Sequence, residues 1–270
     1  MKQLITIVVI VIAIAATWLV SGQNRRGTGG SRRAEQQRVL YDFRRLPEIK
    51  PPVLTPAEQR RILSAVFSSY LKSADDCKSV GEASGDYLAA ARKAGQIVPD
   101  VVSMATGSFT ASGERQTAYI ISVSECNASH ADNFGTKRLA VFSGDKLVAD
   151  VDTDFQRSIL RTLDLNNDGV NELLLVGGDM SQGIAVDVAS LVDLQAGQLR
   201  TVRDFKMIRE DACESGLSDS NVRASVIYYT TAAAKGRMPE FRVENYRARC
   251  LSNGRLGKWT FLSSGEMPEQ

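Results

Sequence analysis

Residues Ile184–Leu194 read IAVDVASLVDL, Gln195-Ala196-Gly197 follow, and Leu199–Ile208 continue as LRTVRDFKMI. Two apolar, β-branched runs on either side of a short turn signal are the pattern of an antiparallel hairpin. Outward from this pair the pattern recurs. Strands are expected at Gln116–Ser124, Arg138–Phe142, Leu147–Asp152, Glu172–Val176, Val222–Thr230, Glu240–Leu251 and Leu256–Leu262, about ten in all. Turn signals stand between them at Ser143-Gly144-Asp145, Lys235-Gly236-Arg237 and Asn253-Gly254. The last three strands should form a meander in which Phe241 and Val243 face a core while Arg242 and Glu244 face water. The predicted fold class is mainly β: antiparallel meander sheets, either propeller-blade-like or a sandwich, with one or two N-terminal helices. No repeat of fixed length supports a full propeller of matched blades.

The helical signals precede the strands. Thr55-Pro56-Ala57-Glu58 is a capping box with proline at the first helical position. Ile62, Leu63, Val66, Phe67, Tyr70 and Leu71 then make one apolar stripe. A second, shorter helix is expected from Asp86 through Ala94, stopped by Gly95 and Pro99.

Leu4–Val20 carries no charge and has the character of an exported or inserted segment, so residues 1–22 are expected to be a signal or a transmembrane anchor. Residues 23–52, rich in arginine and glycine, are expected to be a solvated tether, and 53–265 a β-rich extracytoplasmic domain. Arg25, Arg26, Arg32 and Arg33 behind the apolar run pull toward the opposite orientation, since positive charge favours the cytoplasmic side. The expected address is membrane-anchored with an extracytoplasmic domain, or secreted.

Of the 33 basic and 31 acidic residues, the first fifty hold nine and three, which leaves the remainder with 24 against 28. A mildly acidic domain is poorly suited to a phosphate backbone, so no nucleic-acid partner is expected. Cys77, Cys126, Cys213 and Cys250 are even in number and lack the close spacing of a zinc knuckle or redox pair. Three disulfide pairings are open to them; the working expectation joins Cys77 to Cys126 and Cys213 to Cys250.

One stretch carries chemistry. Asp164-Leu165-Asn166-Asn167-Asp168-Gly169-Val170-Asn171-Glu172 places oxygen side chains at positions one, three, five and nine, with glycine at six. Calcium takes six to eight oxygen ligands, and glycine lets the backbone reverse around it. The loop does not continue as an EF-hand, because Leu175 stands where the bidentate glutamate belongs. Running straight into Leu173-Leu174-Leu175-Val176, it resembles the calcium loop of FG-GAP and VCBS-type repeats, the blades of integrin-α-like β-propellers. That resemblance implies Asp164, Asn166, Asp168 and Glu172 as side-chain ligands of Ca2+ and Val170 as a carbonyl ligand. This chain holds one copy of the loop, and Gly177-Gly178 replaces the family's Gly-Ala-Pro end. The competing reading is an Asx-rich turn that caps its own backbone.

Other candidates are weaker. Asp150-Val151-Asp152-Thr153-Asp154 has alternating carboxylates but Phe155 where a glycine is needed, which suits a solvated strand edge. Cys126 and Asp132 flank His130, the sole histidine, yet catalytic partners normally come from distant segments and a bridged cysteine is no nucleophile. Asp179 among Gly177, Gly178 and Gly183 suits a loop between strands. The function expected is a membrane-anchored or secreted non-enzymatic binding or structural module with one calcium-stabilised loop and an envelope-protein or glycan partner. The alternative is an extracytoplasmic hydrolase of polysaccharide or peptide working through carboxylates such as Asp150 or Asp152.

Overall fold

A computed structural model of the chain describes residues 37–46, 49–72, 97–125, 136–153, 156–215, 220–231 and 234–266. Among these are one helix and twelve strands, all paired antiparallel. The expected mainly-β class with antiparallel meanders is what the chain forms. The anchor segment 1–22 and the second helix at 86–94 lie outside the described residues. Among the described residues no helix is long and apolar enough to cross a membrane.

Helix α1 (Pro56–Val66) starts as its sequence dictates. Thr55 Oγ1 accepts the Glu58 N–H at 3.2 Å and Glu58 Oε2 accepts the Thr55 N–H at 2.8 Å. It ends sooner than the apolar stripe suggested, because Phe67 turns to extended backbone and the Leu71 N–H instead bonds the Ile97 carbonyl at 2.8 Å. Ile62, Leu63 and Phe67 are buried against the first sheet.

That sheet is a meander of β2 (Ile97–Gly107), β3 (Gln116–Glu125), β4 (Thr136–Ser143) and β5 (Lys146–Asp152). Its strands are apolar on both faces, and period-two alternation sorts them. Tyr119, Ile121, Ala140 and Phe142 meet the helix. Ala118, Ile120, Leu139 and Val141 meet the second sheet.

The second sheet runs β6 (Gln156–Leu163), β7 (Glu172–Ser181), β8 (Ile184–Gln195), β9 (Gln198–Asp211), β10 (Asn221–Thr230), β11 (Phe241–Arg249) and β12 (Thr260–Glu266) in chain order. Leu173 and Leu175 of β7 pack toward the first sheet, while Leu174 and Val176 pack the other way. The uninterrupted run Leu173–Val176 is therefore buried on both sides. Between β8 and β9, Ala196 and Gly197 both have positive φ, 51° and 77°, the primed turn whose twist matches the strands it joins.

The sheet bends sharply at β10. Only Val222–Ala224 pair with β9, while residues 226–230 pair with β1 (Gln37–Asp42). The bend encloses a second core in which Leu174, Leu191 and Phe205 face Leu40, Phe43, Ile227 and Phe241. The sheet is not closed into a barrel. At the gap, the Arg161 guanidinium of β6 donates to the Val39 and Leu40 carbonyls at 3.3 and 2.9 Å.

Three strands were not expected. Within the stretch read as tether, Gln37–Asp42 is strand β1, with Leu40 0% and Phe43 1% exposed, because the departing β9 leaves the edge of β10 open. β2 contains Pro99, which reads as a strand breaker; β2 is an edge strand, where a missing N–H is tolerated. β6 is broken by two register shifts, between Gln156 and Ser158 and between Ile159 and Arg161, which erase its alternation.

Candidate functional site

The loop 164–171 joins β6 to β7, and its conformation comes from its own side chains. Asp164 Oδ1 accepts the Asp168 N–H at 3.1 Å and Oδ2 the Gly169 N–H at 3.0 Å. Asn166 Oδ1 accepts the Asp168 N–H at 2.9 Å, and Asp168 Oδ1 the Val170 N–H at 2.7 Å. These are the self-capping bonds of an Asx-rich turn, and they draw Asp164, Asn166 and Asp168 around one bend. Asn167 and Gly169 take positive φ, 57° and 92°. At Gly169 a Cβ would stand 2.0 Å from the Ser112 Oγ, so glycine is required both by the backbone and by its neighbour.

Glu172 opens β7 from inside the protein. It is 1% exposed, and its Oε2 accepts the Leu165 N–H at 2.8 Å. Burial pushes its carboxyl up to about 7; the N–H bonds from Leu165 and its own backbone oppose this, and the negative charges of Asp168 and Asp164 add to it. A carboxyl that burial holds from ionising would gain from a cation brought close to it. Among the described residues, no three His, Cys, Asp or Glu side chains gather closely enough to hold a metal by themselves. A cation here would need the Asn166 amide oxygen and the Val170 carbonyl as well, which the expected five-residue set includes.

The loop is also a junction. Asn171 Oδ1 accepts the Ser108 N–H at 2.8 Å while the Asn171 N–H bonds the Ser108 carbonyl at 2.6 Å, tying it to the β2–β3 connection. The Asn166 carbonyl accepts the Gly236 N–H at 2.6 Å, tying it to the β10–β11 connection. Sequence reading missed Ser108, Ser112, Asn171 and Gly236. Asn171 occupies the loop's non-ligand eighth position, and Lys235-Gly236-Arg237 carries only a turn signal.

Elsewhere, Asp150 and Asp152 both bind Arg138, at 2.7 and 3.0 Å, which is strand-surface ion pairing. Asp179 Oδ1 accepts the neighbouring Met180 N–H at 2.5 Å. Cys213 and Cys250 form a disulfide with Cα atoms 5.5 Å apart, clipping the β9–β10 connection to the end of β11. Cys77, Cys126, His130, Asp132 and Asp154 lie outside the described residues. No known protein family, curated protein or solved structure matches the chain.

Proposed function

We propose that the chain is a membrane-anchored or secreted, non-enzymatic binding or structural module of the cell envelope, whose β-layers are pinned by one calcium-occupied loop. The observation that carries this reading is the position of the loop. Asp164, Asn166 and Asp168 cap one bend, Glu172 reaches back to it through the Leu165 N–H, and the same loop also holds the β2–β3 and β10–β11 connections. When bound there, Ca2+ would neutralise the buried Glu172 and stiffen the place where the layers meet. A rigid scaffold of this kind presents its outer strands and loops to a partner, an envelope protein or a glycan, while the N-terminal segment supplies the attachment to the membrane. No pair of unengaged carboxylates at Asp150 and Asp152 supports the hydrolase alternative.

Isothermal titration of chelator-treated protein, paired with melting curves in EDTA and in 1 mM calcium, tests the reading. A dissociation constant of about 10 μM would stabilise the fold by about 2.7 kcal/mol. For a domain of this size that corresponds to roughly 5–10 °C. Asp168→Ala should abolish the shift. A melting temperature that ignores calcium rejects the proposal.

A further inference from the structure

The connection from β11 to β12 begins with a tight turn. Cys250 bridges to Leu256, the Leu251 N–H bonds the Arg255 carbonyl at 2.9 Å, and the Gly254 N–H bonds the Leu251 carbonyl at 3.0 Å. Gly254 takes a φ of 74°, the left-handed position that closes a short hairpin loop. Residues 251–255 are all exposed, and a Cβ at Gly254 would meet nothing within 4 Å, so water reaches the tip freely. Asn253 is the only asparagine of the chain that precedes a glycine.

The Asn253 carboxamide is held in a particular way. Its Oδ1 accepts the Arg255 N–H at 3.0 Å, an Asx turn that folds the side chain forward over the Gly254 peptide. The same N–H stands where negative charge would gather if the side-chain carbonyl carbon, Cγ, were attacked, so it polarises that carbonyl as an oxyanion donor does. The attacking group supplied by the chain is the Gly254 nitrogen, which no Cβ crowds. Asn221 and Asn245 lie within β10 and β11 and precede Val222 and Tyr246, whose side chains crowd the corresponding nitrogen.

We propose that Asn253 is a site of spontaneous covalent modification, converted with its glycine neighbour to aspartate and isoaspartate. Hydroxide takes the proton of the Gly254 N–H, which gives up its bond to Leu251. The nitrogen then bonds to Asn253 Cγ, and the Cγ–Nδ2 bond breaks, with Nδ2 taking a proton from water and leaving as ammonia. The resulting cyclic imide takes up water. Opening at Cγ gives aspartate; opening at the backbone carbonyl gives isoaspartate, in which the main chain runs through Cγ. Nothing is oxidised or reduced, and water is the sole co-reactant. Either product adds a carboxylate to a stretch whose other charged residues are Arg249, Arg255 and Lys258, and isoaspartate also lengthens the backbone of the turn. This site is separate from the calcium loop and does not depend on it.

Ageing of the folded full chain at pH 8, with a sample digested at once as the zero point, tests the assignment. After reduction and alkylation, trypsin cuts behind Arg249 and Arg255 and isolates residues 250–255. That peptide should gain the mass of an amide-to-acid conversion and accept a methyl group from an isoaspartyl methyltransferase. Its conversion should run at least about tenfold faster than that of the peptides holding Asn221 and Asn245. Gly254→Ala should slow it at least about tenfold, and the wild-type rates remain decisive if that variant misfolds. Asn253 left intact in the folded chain while a urea-unfolded sample converts would overturn the proposal. Conversion to aspartate without methyl acceptance, or a rate unmoved in folded Gly254→Ala, would do the same, since the Gly254 nitrogen would not then be the attacking group.

Discussion

Glu172→Gln should stabilise the calcium-free chain at pH 8 and do much less at pH 5. In the fold the Glu172 carboxyl titrates at about 7, against an ordinary 4.5, because burial opposes its charge. At about 1.36 kcal/mol per unit, that difference amounts to roughly 3 kcal/mol. The folded state binds this proton more tightly than the unfolded state. The contribution is therefore full below pH 4.5, declines as pH rises toward 7, and is gone above that. Glutamine preserves the side-chain length and a carbonyl to accept the Leu165 N–H, but carries no charge. The variant should therefore exceed the wild type by about 2–3 kcal/mol at pH 8 in EDTA. Calcium reverses the order, since an anionic ligand is then an asset: the wild type gains from 2 mM calcium and the variant gains little. Urea unfolding of both proteins at pH 5 and pH 8 in EDTA, then at pH 8 with calcium, reads all of this. If the variant trails the wild type by equal margins at both pH values in EDTA, the buried carboxyl is not under the strain described.

Three further outcomes follow from the packing. Gly169→Ala places a methyl group 2.0 Å from the Ser112 Oγ at a φ of 92° and should cost at least about 2 kcal/mol by thermal unfolding, with partial rescue by Ser112→Gly. Leu40→Ala empties a fully buried site between β1 and the second sheet and should cost about 2–5 kcal/mol in urea, whereas a mere tether would show no change. The paired substitution Cys213→Ala with Cys250→Ala removes a link spanning 37 residues and should cost roughly 4 kcal/mol, measured without reductant so that the other cysteines stay as they are.

The hairpins from β7 to β11 were legible because their runs are long, apolar and separated by residues that accept positive φ, as at Ala196-Gly197. The helix start was legible because a capping box is a local device. What sequence concealed was non-local. Leu40 and Phe43 are two apolar residues among arginines, and only the edge of β10 that β9 leaves open makes them core. Pro99 is acceptable only because β2 lies at an edge. At the loop, the oxygen side chains and the glycine could be read from spacing, but the burial of Glu172 and the bonds to Ser108 and Gly236 depend on strands far away in the chain.

The pairing of β1 with β10 also sets a timetable for the newborn chain. Asp42 leaves the ribosome long before its partner Val226 is made, and at about 5–20 residues per second the wait is roughly 10–40 s. Throughout that interval Leu40 and Phe43 have no place to dock, and the upstream sheet must assemble without them. Among the described strands β1 is thus the first translated and one of the last to be seated, which leaves its apolar residues uncovered during synthesis.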